Sequence, residues 1–324
     1  MVSVLKSVRA ALAVALSLGT ASAFAQAPAA SGKPITFVVP FTAGSGTDVV
    51  ARVLSDHLSK ALGQTIVVDN KPGAGGTLGA AQVASSAPDG HTVLIHSAGH
   101  VANAALYPKL KYDTLKDFTP VVMLATLPNV LVVSPASGLR SVEELVRKAQ
   151  PGRMTYASAG NGSATHINAE KFRIAAKIQA AHVPYRGTPP ALLDVVGGQV
   201  DWYFAPLVSA LPLIHEQKLV PLAVGSQARS AALPKVPTTV EAGYTGSDYT
   251  FWVGMFVPSR TPAELVKRLS ATTAQVLQLP EVKAALAKVG AEVPTLTQQQ
   301  FADSVAQEMA TTASLIRQAG IKVD

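Results

Sequence analysis

The chain has no cysteine, few aromatic residues and few charges. The absence of cysteine excludes disulfides and thiol catalysis. Only 6% of the 324 residues are aromatic and 15% are charged, while 48% are hydrophobic; this composition is globular rather than disordered. Beyond the N-terminal segment, no apolar run reaches the ~18 residues of a membrane-spanning helix. The length is sufficient for two domains with full cores.

Several catalytic and cofactor motifs are also missing. No serine has glycine two positions before and after it, so the nucleophile elbow of hydrolases is absent. No glycine-rich loop ends in Gly-Lys-Ser/Thr, the phosphate-binding Walker A motif, and there is no zinc-binding His-Glu-x-x-His. His96 and His100 are four apart, but the intervening Ser-Ala-Gly is expected to break a helix that would align them for a metal. The glycines of the loop at residues 70–79 lack the Gly-x-Gly-x-x-Gly spacing of a dinucleotide-binding loop. Lysines and arginines are scattered, which disfavours nucleic-acid binding. We predict no cofactor, no metal and no catalytic residue.

The first residues have the pattern of an export signal. Lys6 and Arg9 precede a short apolar stretch at residues 10–18, and Ala-Phe-Ala at 23–25 is a cleavage pattern. We therefore predict a signal peptide over residues 1–25 and a periplasmic location. Without Lys6 and Arg9, 25 basic and 20 acidic residues remain, so the net charge falls from +7 to about +5. This modest basic bias suits an anionic small ligand.

Apolar runs alternate with helical patterns, which indicates an α/β architecture with mostly parallel strands. The long apolar segment 121–134 is predicted to be a strand that leaves one sheet and enters another, and 219–224 is a candidate for crossing back. The prediction is a discontinuous first domain, 33–128 plus 225–324, with a second domain, 129–224, inserted into it. Such a pair has a ligand cleft between its domains.

A glycine-rich loop at residues 40–48 is the first candidate site. It follows the apolar run 35–39 and precedes a helical pattern, so backbone N–H groups are free at a helix N-terminus and favour an anion. The loop carries no lysine, arginine or obvious nucleophile. Asp48 is expected to hold N–H groups of its own loop.

A second loop, residues 158–166, again joins a strand to a helix. Across the predicted cleft, the two loops could hold one carboxylate, or two carboxylates of one ligand. The hydroxyls of Ser163 and Thr165 can add hydrogen bonds, and Ser163 suits an N-cap. His166 is either a ligand contact or a packing residue. The loop pattern alone also fits two tight turns without a ligand.

Six short segments carry a family resemblance. They are Val-Pro-Phe at 39–41 with Gly44 and Asp48, Val-Asp-Asn-Lys-Pro-Gly-Ala-Gly-Gly at 68–76, Pro-Asp-Gly-His-Thr at 88–92, Gly-Asn-Gly-Ser at 160–163 with His166, Val-Pro-Tyr-Arg-Gly at 183–187, and Gly-Gly-Gln-Val-Asp at 197–201. In these segments the chain resembles the Bug/TctC family, the periplasmic solute-binding proteins of tripartite tricarboxylate transporters. The segments extend over nearly the whole mature chain.

The resemblance implies a two-domain type II periplasmic-binding-protein (Venus flytrap) fold. It also implies ligand carboxylates held by the loops 40–48 and 158–166, partly through ordered water, and no catalytic activity. The closed, liganded protein, expected as a monomer, would be presented to the membrane permease of such a transporter, or to a membrane sensor. An exported α/β enzyme acting on a carboxylate or phosphate is the alternative from another class.

One departure from the family bears on the ligand. Where many relatives place Asp-Asn, this chain has Phe204-Ala205-Pro206. An apolar wall beside Trp202 and Tyr203 is expected there, and it would disfavour an amine. We therefore predict a non-amino aromatic or aliphatic carboxylate, such as a phthalate isomer or a tricarboxylic-cycle acid. The expected ligand-binding residues are Phe41, Ala43, Gly44, Ser45, Gly46, Asp48, Ser97, Ala98, Ser158, Gly160, Gly162, Ser163, Ala164, His166, Phe204 and Ala205.

Overall fold

A computed structural model describes residues 32–150 and 152–321, and the body that starts at Lys33 is one compact unit. The predicted signal peptide, 1–25, lies outside the described residues. The strands are β1 (Ile35–Val39), β2 (Ile66–Asn70), β3 (Thr92–Ser97), β4 (Phe118–Leu127), β5 (Asn129–Val133), β6 (Met154–Ser158), β7 (Ala180–Pro184), β8 (Trp202–Pro206), β9 (Val220–Val224) and β10 (Phe251–Pro258). The helices are α1 (Gly46–Leu62), α2 (Thr77–Ala84), α3 (Gly99–Leu106), α4 (Val142–Ala149), α5 (Ala164–Ala176), α6 (Thr188–Val196), α7 (Leu207–His215), α8 (Ala263–Gln278), α9 (Pro280–Lys288) and α10 (Gln298–Ala319). Short 3₁₀ segments occupy Ala74–Gly76 and Pro135–Ser137.

The strands form two five-stranded sheets, which define a first and a second lobe. The first sheet has the order β2-β1-β3-β10-β4 and the second has the order β7-β6-β8-β5-β9. In the first sheet β1 pairs parallel with β2 and β3, and β10 pairs antiparallel with β3 and β4. In the second sheet β6 pairs parallel with β7 and β8, and β5 pairs antiparallel with β8 and β9. Because parallel strands bury both faces, their sequences are nearly continuous apolar runs, as in the Ile-Thr-Phe-Val-Val of β1. The α/β class predicted from the sequence is confirmed.

The two crossings between sheets differ in detail from the prediction. The apolar segment 121–134 is not one strand, because it is interrupted at Pro128: β4 ends at Leu127 in the first sheet and β5 begins at Asn129 in the second. Residues 219–224 do not cross back, since β9 pairs with β5 in the second sheet. The return is made by residues 225–250, a connection that leads to β10. The domain limits themselves remain a prediction.

Two helices were not predicted. α3 begins at Gly99, the last residue of the Ser-Ala-Gly stretch, so His96 in β3 and His100 in α3 do not share a helix; their rings lie 4.9 Å apart. Both histidines are fully buried, and burial lowers the pKa of His96 to about 3. α7 starts at Leu207 and accommodates Pro212. Among the residues that the structure describes, no three His, Cys, Asp or Glu residues form a group that could hold a metal.

The C-terminal helix α10 places an ionisable group beside the core of the first lobe. Trp252 Nε1 donates a hydrogen bond to Glu308 Oε2 at 2.6 Å. Burial raises the pKa of Glu308 to about 7, although the Trp252 hydrogen bond and the Lys171 charge act in the opposite direction. Between pH 4.5 and about 7, Glu308 therefore keeps its proton in the folded protein, whereas in the unfolded chain, with its ordinary pKa of 4.5, it has lost it.

We expect Glu308→Gln to be more stable than the wild type at pH 8 and nearly equal to it at pH 5. Because the folded state binds the extra proton, wild-type stability falls as the pH rises from 4.5 to about 7. Glutamine removes this titration and keeps an acceptor for Trp252. Urea unfolding of both proteins at the two pH values checks the difference, and an equal effect at pH 5 and pH 8 would contradict it.

No helix in the described part of the chain is long and apolar enough to cross a membrane.

Candidate functional site

The first loop leaves unpaired backbone donors at the start of α1. Ser45 is the N-cap in an extended conformation, with φ −68° and ψ 155°, and its side chain does not cap the helix. Within the described residues, the N–H groups of Gly46, Thr47 and Asp48 have no hydrogen-bond partner. These groups and the positive end of the helix dipole form a site for an anion.

Asp48 holds this loop in place. Its Oδ2 accepts from Gly44 N and from Arg52 Nε, each at 2.9 Å, and its Oδ1 accepts from Asn70 Nδ2 at 2.9 Å. Burial alone would raise the pKa of Asp48, but the hydrogen bonds from Arg52, Gly44 and Asn70 and the Arg52 charge together lower it. The carboxylate is therefore ionised and ties the loop, through Gly44 N, to Arg52 in α1 and Asn70 in β2; the sequence predicted the bond to the backbone of its own loop.

The second loop has a similar arrangement at the start of α5. Ser163 is the N-cap, and its side chain accepts from His166 N at 3.3 Å. Gly162 N donates to His166 Nδ1 at 3.1 Å, and Ala159 N donates to Thr165 Oγ1 at 2.9 Å. The N–H groups of Ala164 and Thr165 have no partner among the described residues.

Two histidines support the second loop from behind. The His166 ring stacks on the His182 ring with centroids 3.9 Å apart, and His182 Nε2 is 2.6 Å from Ser158 Oγ. Burial lowers the pKa of His166 to about 4 and that of His182 to about 3. Both rings are therefore neutral at neutral pH, and His166 Nδ1 can accept from Gly162. His166 is packed against His182 and does not line the cavity, which agrees with the packing alternative.

The two loops face each other across one small cavity between the lobes. The cavity is lined by Phe41, Ser45, Gly46, Thr47, Ser97, Ala159, Ser163, Ala164, Thr165, Thr188, Pro206 and Phe251. Its lining contains the free N–H groups of both helix starts, several hydroxyls and two phenylalanines. Among the described residues, no lysine, arginine, aspartate or glutamate lines it. All donors are therefore neutral, and nothing acidic is present to pair with an ammonium group.

The lobes are closed on each other around this cavity. Thr188 N in the second lobe donates to Ser45 Oγ in the first at 3.0 Å, and Ser209 Oγ donates to Gly44 O at 2.9 Å. Tyr107 OH donates to Asn161 O at 3.0 Å. In this closed state the cavity is narrow, with a volume of about 10 Å³, enough for about one water.

The predicted site residues fall into three groups. Those that line the cavity are Phe41, Ser45, Gly46, Ser97, Ser163 and Ala164. Those that belong to the two loops but do not line it are Ala43, Gly44, Asp48, Ser158, Gly160, Gly162 and His166. Those outside the loops that do not line it are Ala98, Phe204 and Ala205.

The predicted apolar wall needs correction. Phe204 is fully buried against Phe172 and Trp202 in one core cluster, whereas Tyr203 and Ala205 point into another. This follows from the alternation of side chains along β8, which lies in the middle of its sheet. Of the Phe-Ala-Pro stretch, only Pro206 at the strand end lines the cavity.

Thr47, Ala159, Thr188 and Phe251 were not predicted as lining residues, whereas Thr165 was expected to add a hydrogen bond and Pro206 belonged to the predicted apolar wall. Thr188 had a usable signal, because Gly187 before Thr-Pro-Pro marks a third helix start. Phe251 had none, since its place in the cavity depends on the return of the chain to the first sheet.

Comparisons with known proteins agree with this geometry. The family model described as the tripartite tricarboxylate transporter family receptor matches residues 50–321. The chain is 35% identical over 295 residues to the protein BugT of Bordetella pertussis, with 90% of each chain covered. This is a binding family without enzymatic activity, which confirms the prediction that the chain is not an enzyme.

Two solved structures have the same fold and carry carboxylates. An R. palustris protein with adipate has a TM-score of 0.86 and 34% identity, covering 89% of this chain and 98% of that one. MatC from Rhodopseudomonas palustris with bound malate has a TM-score of 0.83 and 35% identity, covering 87% and 98%. The predicted two-domain periplasmic-binding fold is confirmed. The chain belongs to the tripartite tricarboxylate transporter receptor family and is a periplasmic solute-binding protein of the Bug/TctC type.

Proposed function

We propose that this protein captures a small non-amino carboxylate in the cavity between its lobes and delivers it to the membrane permease of a tripartite tricarboxylate-type transporter. The observation that carries the proposal is the pair of helix starts, at Gly46 and at Ala164, whose free N–H groups line one cavity. Such donors suit carboxylate oxygens. The residues proposed to touch the ligand are those that line the cavity, and the rest of the two loops holds them in place.

The second part of the proposal concerns the chemistry of the ligand. An ammonium group in this cavity would lose its hydration without meeting an acidic side chain, which is costly. Phe41, Pro206 and Phe251 offer apolar surface for a hydrocarbon segment. The malate- and adipate-bound relatives support an aliphatic dicarboxylate, such as a tricarboxylic-cycle acid, and an aromatic acid of the phthalate type belongs to the same proposed class.

Closure follows from the division of the donors between the lobes. Each lobe alone offers half of them, so a ligand favours the closed state only through contacts made to both loops. We also propose that residues 1–25 direct export and that the domains divide at 33–128 plus 225–324 and 129–224, with the joints of the closing motion near residue 128 and in 225–250.

A ligand panel tests the proposal. The protein is denatured and refolded to remove any co-purified ligand, and its melting temperature is measured with malate, succinate, adipate, phthalate, aspartate and glutamate at one concentration. We expect at least one of the four acids without an amine to raise the melting temperature, because a ligand that binds only the folded state stabilises it by about 2.7 kcal/mol at 100 times its Kd. Aspartate and glutamate should have no comparable effect. Stabilisation by aspartate or glutamate alone would contradict the proposed ligand class.

A further inference from the structure

An exposed apolar groove lies on the first lobe beside the seam between the lobes. Its floor is formed by Leu78 and Ala81 of α2 and by Tyr107 and Leu110, which follow α3, and it encloses about 460 Å³. Leu78 is 60% exposed, the second most exposed large hydrophobic side chain among the described residues. An exposed apolar cluster of this kind commonly marks an interaction surface.

The groove is mechanically connected to the proposed ligand-binding loop of the second lobe. The Tyr107 side chain forms part of the groove and donates its hydroxyl hydrogen bond to Asn161 O across the seam. Gly162 lies so close to α3 that a Cβ on it would be 2.7 Å from Leu106 Cδ1. When the lobes separate, Tyr107 loses these neighbours. The groove with Tyr107 held in this position is therefore a property of the closed protein.

The rim of the groove is positively charged. Lys109 and Lys111 line it and are exposed, and neither has an acidic partner among the described residues. By contrast, Lys116 is paired with Asp113, and Lys71 with Asp69. No acidic residue lines the groove. An apolar floor with two unpaired ammonium groups complements a segment that carries both apolar and acidic side chains.

We propose that this groove is the surface on which the closed receptor docks with an acidic, apolar segment on the periplasmic side of its membrane permease. The proposal rests on the delivery role proposed above and adds where delivery takes place. It also explains how a permease distinguishes the closed receptor from the open one, because the Tyr107–Asn161 contact that shapes the groove exists only when the lobes are closed.

The test combines binding by the purified protein with uptake by cells. In the bacterium that encodes this receptor, the chromosomal copy is replaced by Lys109→Glu/Lys111→Glu or by Leu78→Asp, and uptake is measured of the radiolabelled acid that stabilises the wild type in the panel. We expect uptake to fall about tenfold or more, because rim charges control productive encounter. The purified variants should bind the acid within about twofold of the wild type, since none of the three positions lines the ligand cavity. The matched control, Lys283→Glu/Lys288→Glu on α9, makes the same charge change on the same lobe and should take up the acid normally.

Two outcomes would overturn the docking proposal, and a third would overturn the proposed function. Normal uptake with Lys109→Glu/Lys111→Glu overturns the docking proposal. Wild-type protein that sediments with phosphatidylglycerol vesicles, when the double variant does not, also overturns it, because the groove would then bind the membrane surface. If the purified wild type binds none of the acids, the proposed function fails, and this is seen before any uptake is measured.

Discussion

Alanine at position 75 is expected to weaken carboxylate binding by about 100-fold, roughly 2.7 kcal/mol. Gly75 lies in the first lobe, and a Cβ on it would be only 1.9 Å from Asn161 O in the second. Ordinary contact begins at 3.4 Å, so the lobes would have to remain roughly 1.5 Å farther apart at this point. Hydrogen bonds need donor–acceptor distances of about 2.7–3.2 Å. A ligand could then not reach both loops at once.

Gly63→Ala provides a matched control for this substitution. Gly63 and Gly75 have nearly the same left-handed φ, 66° and 61°, but a Cβ at position 63 would meet nothing within 4 Å. Both variants should therefore lose about 1 kcal/mol of stability from backbone strain, and only Gly75→Ala should lose affinity. Isothermal titration gives the affinities, and small-angle scattering with ligand shows whether the lobes close. Equal affinity of Gly75→Ala and Gly63→Ala would show that closure at this seam does not control binding.

Asp48→Asn is expected to destabilise the protein by about 2 kcal/mol and to lower its affinity by about tenfold. The carboxylate accepts three hydrogen bonds, from Gly44, Arg52 and Asn70. An amide at this position must turn an NH₂ group toward one of these donors. The loop then loses its fixed shape, and the N–H groups at the start of α1 are no longer held in place for a ligand.

The pH dependence of this effect has a defined sign. Because the pKa of Asp48 is lowered in the folded state, its contribution is fully present above the ordinary value of 3.8 and is lost as the pH falls through the lowered one. The difference between wild type and Asp48→Asn, measured by urea unfolding, should therefore be constant from pH 5 to pH 7 and shrink in stronger acid. Asp113→Asn is the control, since the exposed Asp113 also accepts backbone N–H bonds, from Leu115 and Lys116. An equally large loss of stability in Asp113→Asn would mean that any aspartate that accepts backbone N–H bonds has this effect.

The elements that the sequence predicted well are those with a strong local signal. The apolar run of β1 and the helical pattern after the loop 40–48 are recognisable in the sequence, and glycine-rich loops at strand ends are visible without a structure. The helix at Gly99 was missed because glycine has a low helical propensity, whereas packing against α10 and the core stabilises the helix. Propensity is a weak guide where tertiary contacts are extensive.

The residues of the site that lie in the two loops could be predicted from the sequence. Those brought to the cavity by the arrangement of strands could not. Gly46 and Ala164 could be proposed because a strand, a small loop and a helix start follow one another in the sequence. The wall of the cavity could not, because it depends on which face of a strand points inward and where β8 ends. Phe204 and Pro206 are two residues apart, yet one is buried in the core and the other lines the cavity.

The neutral, divided donor set has a consequence for unloading. For the proposed carboxylate, a separation of the lobes by about 2 Å takes every hydrogen bond to one of them out of range. The remaining backbone groups then have to compete with bulk water for the carboxylate oxygens. No competing anion, proton or chemical step is needed to expel the cargo. Separation of the lobes is then sufficient for release. A membrane partner that separates them would release the bound acid, whichever acid it is.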